Sequence, residues 1–233
     1  MSWVATQVAS NTHNGVTDAR LTHGTVAPVV AATVERFTAQ QLPATWFVTD
    51  DSTPADLGSH LEAAGCRAER SAWVMGADLA DLPADAPQLP EGVSIEEVTG
   101  GAQLRAWFEA AGGVTFDDDD TSRERRQRLY ASLGLGDGRP WRHWLATEDG
   151  RPVGTASALF TGPVVALDNI GVAPTHRRRG LGGALTLAPV TAARRAGLRV
   201  AVLGPSPDGQ PLYETLGFDL APALADRAHY LPL

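Results

Sequence analysis

The sequence predicts a mixed α/β protein. Three observations carry that reading. Short apolar runs with strand-like alternation recur along residues 93–233, helical spacing of apolar residues separates them, and turn residues punctuate both. In addition, the apolar run 164–172 feeds a loop of three arginines and three glycines, from which a small-residue helix leaves.

Residues 93–98 read as a short strand. Residues 101–111 read as a helix, with Leu104, Trp107 and Phe108 on one face. A second helix is expected over 121–133, opened by the capping box Thr121-x-x-Glu124. Residues 141–147 alternate as a strand, and Glu148-Asp149-Gly150-Arg151 forms a hairpin turn into a strand at 153–160. The next strand is 164–172, then the Arg/Gly loop, then a helix from Leu181 to Ala196 that Gly197 stops. A strand at 198–203, a short helix at 209–216 and a last strand at 228–231 complete this part. Further upstream, 26–41 and 54–64 are helix-like, while 46–49 and the stretch opening at Trp73 are strand-like. That order of helix, strand, helix, strand matches 181–231. Leu61-Glu62-Ala63-Ala64-Gly65-Cys66 can be laid on Tyr213-Glu214-Thr215-Leu216-Gly217-Phe218, with Leu61 in place of Tyr213. Residues 83–92 hold three prolines and no period, and read as a linker. The expected division is therefore 1–82, a linker at 83–92, and a complete domain at 93–233.

The bulk composition narrows the function. The 233 residues carry 43% hydrophobic and 20% charged side chains, ordinary for a globular chain. A net charge of −8 argues against a general nucleic-acid binder. No apolar run reaches the ~18 residues of a membrane span, and the N-terminus lacks a secretion-signal layout. Cys66 is the only cysteine, so a reducing cytoplasm is the expected location. All 19 basic residues are arginine. The absence of lysine excludes a Walker A loop and Schiff-base chemistry. The six histidines show no metal-ligand spacing, so no metal is expected. A Rossmann reading fails because Gly180-x-Gly182-x-x-Leu185 lacks its third glycine.

The Arg/Gly loop suits a pyrophosphate. Glycines let backbone N–H groups approach an anion, and the helix that follows offers its unpaired N–H groups and positive dipole end. Arg177-x-x-Gly180-x-Gly182, preceded by Ile170-Gly171-Val172-Ala173-Pro174, resembles the signature of the GNAT (Gcn5-related N-acetyltransferase) family. Leu212-Tyr213-Glu214-Thr215-Leu216-Gly217-Phe218 is similar to a second element of that family, in family order and spacing. Residues 93–233 carry the resemblance, and 1–82 resemble a degenerate half module of two-module members. The resemblance implies an α+β acyltransferase fold: a mixed, mostly antiparallel sheet flanked by helices, with an incomplete N-terminal module.

It also implies acetyl-CoA as cosubstrate and a small or peptide amine as acceptor. The diphosphate is expected on Arg177, Arg178, Arg179, Gly180, Leu181, Gly182, Gly183 and Ala184, with Ser206 nearby. The family splays the strand that ends at Val172, often through a bulge. That would leave backbone groups of Asn169, Ile170, Gly171 and Val172 to pair with the pantetheine arm. Tyr213 is the expected general acid, since a phenol keeps its proton at neutral pH. Asp168 is the candidate base, with a salt-bridged or exposed strand-end aspartate as the competing reading. Asp117–Asp120 either steers a cationic amine or sits at a helix N-terminus. Arg123, Arg125, Arg126 and Arg128 read as a charged helix face. His176 reads as an exposed loop residue, and Trp141 and Trp144 as core. The rival function is a non-catalytic acyl-CoA-binding or regulatory module. Acceptor identity and oligomeric state, a homodimer included, are not legible in the chain.

Overall fold

A computed structural model describes residues 1–70, 74–112, 120–221 and 227–232. Contacts divide the chain into two units, Met1–Ala72 with Pro222–Leu233, and Trp73–Ala221.

The first unit holds β1 (Ser2–Val4), β2 (Gly15–Thr17), α1 (Val26–Ala39), β3 (Ala44–Val48), α2 (Leu57–Ala63) and β4 (Arg67–Arg70). Helix α1 forms because Val26, Val30, Thr33 and Phe37 fall on one face and bury together. They meet Trp46 of β3 and Leu57 and Leu61 of α2 in one core. The strand order is β1-β2-β3-β12-β4, where β12 (Arg227–Leu231) comes from the end of the chain. It lies antiparallel to both β3 and β4, pairing His229 with Trp46 and with Ala68.

The second unit holds β5 (Met75–Asp78), β6 (Val93–Glu97), α3 (Gly101–Ala111), α4 (Asp120–Ser132), β7 (Trp141–Glu148), β8 (Arg151–Thr161), β9 (Val164–Val172), a 3₁₀ turn (Pro174–His176), α5 (Leu181–Arg195), β10 (Val200–Leu203), α6 (Gln210–Leu216) and β11 (Asp219–Leu220). Its sheet runs β11-β5-β10-β9-β8-β7-β6. All its pairings are antiparallel except β9 with β10. Residues of β7 alternate between two cores. Trp144 and Ala146 face the core built on α5, while Leu145 joins Trp107, Phe108 and Tyr130 of α3 and α4.

The units divide the chain elsewhere than the expected 1–82, 83–92 and 93–233. Residues of β5 belong to the second sheet because they pair with β10 and β11, and β12 belongs to the first because it pairs with β3 and β4. Nor is the Pro-rich stretch a free spacer. The Arg194 guanidinium donates to the carbonyls of Leu79, Leu82 (2.7 Å) and Pro83 (2.9 Å), tying its start to the end of α5. Trp73 and Asp117–Asp119 lie outside the described residues. Helix α4 starts at Asp120, so the expected cap Thr121 is already within it.

Candidate active site

Two local features of β9 create an opening in the second sheet. Parallel pairing with β10 runs from Val164↔Val200 to Leu167↔Leu203 and ends there. On its other edge β9 stays paired with β8 as far as Val172. The edge of Asp168–Val172 that points toward β10 is therefore unpaired by any strand among the described residues. Between Ser157↔Asp168 and Thr155↔Gly171 the register slips, so β9 carries one residue more than β8. The bulge sits at Asn169, which adopts φ +52°. Asparagine tolerates this left-handed conformation through local hydrogen bonds. Here its N–H donates to Asp168 Oδ1 (2.8 Å), and its carbonyl accepts from Thr155 Oγ1 (2.9 Å).

Past Val172 the chain turns through the Arg/Gly loop. The Ala173 N–H donates to the Val153 carbonyl (2.8 Å), which fixes where the loop leaves the sheet. Arg178 sits at φ +61°, and Gly180, the N-cap of α5, at φ +86°. Gly180 is thus a conformational requirement. Of the other two glycines, Gly182 also relieves crowding against α6, while Gly183 has room for a methyl group in ordinary contact. A Cβ on Gly182 would lie 3.1 Å from Leu212 of α6, and one on Gly183 would lie 3.5 Å from Pro87. Leu181 and Ala184 are buried in the core. The three arginines diverge. Arg177 Nε donates to the Val172 carbonyl (3.1 Å), Arg179 forks onto Glu148, and Arg178 is exposed. His176, expected as a free surface residue, contacts Glu148 Oε2 through Nε2 at 2.9 Å.

Tyr213 owes its place to its own motif. Gly217 takes φ +101° and ends α6, and the Phe218 N–H returns to the Tyr213 carbonyl (3.0 Å). Phe218 then packs edge-on against the Tyr213 ring, with centroids 6.1 Å apart. Ser206 Oγ accepts the Gly209 N–H (3.1 Å), and its carbonyl accepts Gln210 N–H (2.9 Å). Those bonds make Ser206 the residue that starts the α6 turn. Tyr213 is 7% exposed, and burial and the nearby Asp168 charge both raise its phenol. Asp168 itself is open to solvent, with protein close around its carboxyl. That enclosure raises its carboxyl, against the Asn169 N–H and the Arg126 charge, which lower it. The acid expected from sequence thus feels the charge of the expected base.

Sequence reasoning missed the opposite wall. Asp168, Ser157 and His143 stand in cross-strand register on one face of β9, β8 and β7. His143 Nδ1 and Ser157 Oγ are 2.7 Å apart. Tyr130 of α4 stacks on His143 with ring centroids 5.0 Å apart, and the Asn169 and Arg126 side chains hydrogen-bond its phenol. Arg126 is 2% exposed, so it does not belong to the solvated arginine face expected of this helix. Its i+4 spacing to Tyr130 is the one signal the sequence held. Trp144 is buried and Trp141 half-buried, as expected. Two other concavities, of about 300 and 260 Å³, lie elsewhere, around Trp3 and Phe47 and around Glu96 and Gln103. No helix among the described residues is long and apolar enough to cross a membrane, and none of them form a cluster of three metal-ligating side chains.

Comparison with known proteins defines the class of this fold. The model of the acetyltransferase (GNAT) family matches residues 102–218, half of the chain, and the chain belongs to that family. Mycothiol acetyltransferase of Thermobispora bispora is 30% identical over 173 residues, covering 66% of this chain and 55% of that protein. The chain thus spans about half the length of this curated relative. Among solved structures, a GCN5-related N-acetyltransferase from Kribbella flavida superposes with a TM-score of 0.64 at 23% identity, over 88% of this chain and 74% of that one. A tandem GNAT protein from the clavulanic acid biosynthesis pathway gives 0.63 at 20% identity, over 94% and 72%. Both show the fold: mixed sheets flanked by helices, in a two-module arrangement for the second.

Proposed function

We propose that this protein transfers acetyl from acetyl-CoA to an amine by direct attack. The observation that carries the reading is the parting of β9 from β10 at Asp168, with the Arg/Gly loop at the far end of the unpaired edge and the Tyr213 phenol close enough to Asp168 to feel its charge. Backbone groups of Ile170, Gly171 and Val172 suit the pantetheine amides, which would dock as an added strand, while the Asn169 N–H expected to join them is engaged by Asp168. The N–H groups of residues 178–183 at the start of α5 suit the diphosphate, with Arg178 adding charge, whereas those of Arg177 and Ala184 already donate to the Pro174 and Gly180 carbonyls.

In the reaction, the amine nitrogen forms a bond to the thioester carbonyl carbon, and the carbon–sulfur bond then breaks. Asp168, directly or through water, takes the proton that a cationic amine must lose before it can attack. Its raised carboxyl, in contact with solvent, fits that task. Tyr213 keeps its proton at neutral pH and delivers it to the departing thiolate, and the second proton that the acylated nitrogen sheds passes through water to restore the phenol. Cys66 is buried in the first unit with its thiol pushed up to about 11, which argues against a cysteine intermediate.

The first unit reads as a degenerate module. Its order β1-β2-β3-β12-β4 repeats β8-β9-β10-β5-β11, parallel pair included. Leu61 occupies the place of Tyr213, and Gly65 (φ +93°) ends α2 as Gly217 ends α6. No Arg-x-x-Gly-x-Gly precedes α1. With a single cysteine and a net charge of −8, the chain fits a cytoplasmic enzyme acting on a small or peptide amine.

Acetyl-CoA at 100 times its Kd should stabilise the fold by about 2.7 kcal/mol, read as a rise in melting temperature. Thiol release from acetyl-CoA against a panel of amines then identifies the acceptor. A melting temperature indifferent to acetyl-CoA sinks the proposal. Stabilisation with no thiol release from any amine favours the non-catalytic binding module.

A further inference from the structure

We infer that Glu148 is a positioning residue for the Arg/Gly loop, holding it in anion-binding form by gripping it at two points, and that Arg179 serves this grip instead of the diphosphate. The inference rests on the acetyl-CoA reading above.

Glu148 ends β7, at the hairpin turn and outside the motifs that mark the family. Its Oε1 lies 2.5 Å from Arg179 Nη2 and its Oε2 lies 3.3 Å from Arg179 Nη1, the bidentate fork that matches guanidinium to carboxylate. Oε2 also lies 2.9 Å from His176 Nε2, and the far side of that ring meets Thr175 Oγ1 at 2.8 Å. The three side chains are 22%, 24% and 36% exposed, a partly shielded cluster. Hydrogen bonding from Arg179 holds the Glu148 carboxyl below its usual range.

What lies between the two grip points explains the need for them. Arg178 holds φ +61°, a left-handed conformation that a side chain with a Cβ resists. Such a conformation persists only where its surroundings over-determine it. The flanking residues are the fixed points: His176 and Arg179 on Glu148, and Arg177 Nε on the Val172 carbonyl. With Gly180 also left-handed, two positions of this stretch take the backbone conformation from which anion-binding turns are built. Strand β7 thereby sets the shape of a loop nearly thirty residues away in sequence. The positive charge left for phosphate belongs to Arg177, Arg178 and the start of α5, because the charge of Arg179 is matched by Glu148.

The test measures CoA binding by calorimetry for the parent protein, Glu148→Gln, Arg179→Gln and the double variant, with KM values for acetyl-CoA and for the amine. Glu148→Gln should weaken CoA about tenfold, the scale of one released left-handed residue, and raise KM for acetyl-CoA without changing KM for the amine. Arg179→Gln should match it, and the double variant should be no worse than either, because both remove one device. A protein that merely lost stability would show a lower melting temperature without this split between the two KM values. Two results overturn the inference: Glu148→Gln binding CoA as well as the parent or better, or Arg179→Gln losing more than Glu148→Gln with additive losses, which would put Arg179 on the phosphate. Arg179→Gln keeps the question answerable even if the Glu148 variants do not fold. If the parent itself does not bind CoA, both this inference and the acetyl-CoA reading fall.

Discussion

Tyr213 keeps its ring between Gly209, whose added Cβ would lie 3.1 Å away, and Phe218. Its surroundings are thus packed on both sides, and removing only the hydroxyl leaves that packing in place. Tyr213→Phe is expected to lower kcat by about 10²–10⁴-fold while CoA affinity stays within about twofold of the parent. A parallel loss of both would assign the residue to packing. His143 supplies a second test. Burial pushes its imidazole down to about 4 from 6.5, so the folded protein binds fewer protons than the unfolded chain between those values. Stability must then fall as pH drops through that window, by on the order of 3 kcal/mol from this group alone. Urea unfolding of the parent and of His143→Gln at pH 7 and pH 4.5 isolates the contribution, and equal slopes with pH in the two proteins would contradict it.

At the scale of elements, the site depends on how closely α5 approaches the sheet. Gly154 of β8 is a point of close approach. A Cβ there would lie 2.8 Å from Leu185 Cδ1 and 2.9 Å from the Gly171 carbonyl oxygen. The leucine can shift, but the backbone oxygen belongs to the part of β9 that is held in register by β8. Gly154→Ala should cost about 1–3 kcal/mol by overpacking, and CoA binding should weaken with it because α5 and β9 both carry the proposed site. Denaturant unfolding alongside CoA titration checks both parts; an unaltered unfolding midpoint would mean that the sheet yields more easily than its spacing suggests.

For the whole molecule, the notable feature is reciprocal strand supply. Each sheet places between the two strands that flank its last helix a strand from another part of the chain: β12 between β3 and β4, and β5 between β10 and β11. Ending the chain after Ala221 would remove β12 and leave β3 and β4 with bare facing edges. Hydrogen exchange should then show lost protection in β3 and β4, with β7, β8 and β9 retaining theirs. Undiminished protection in β3 would show that the first sheet stands without its last strand.

Amino-acid order alone determined the features set by neighbours in sequence. The left-handed glycines that stop α5 and α6, the proline and arginine run before α5, and the placement of Tyr213 on a short helix all follow from backbone sterics and local hydrogen bonds. Strands of two to four residues, such as β1, β2, β4 and β11, are too short to show a period, and pairing with distant partners defines them. The same holds for chemistry. Nothing near Glu148 in sequence announces Arg179, only the spacing to Tyr130 sets Arg126 apart in its arginine-rich helix, and the bulge at Asn169 is visible only against β8. Only tertiary structure decided these, because ladder pairing, burial and ion pairing depend on which distant groups the fold brings within a few ångströms.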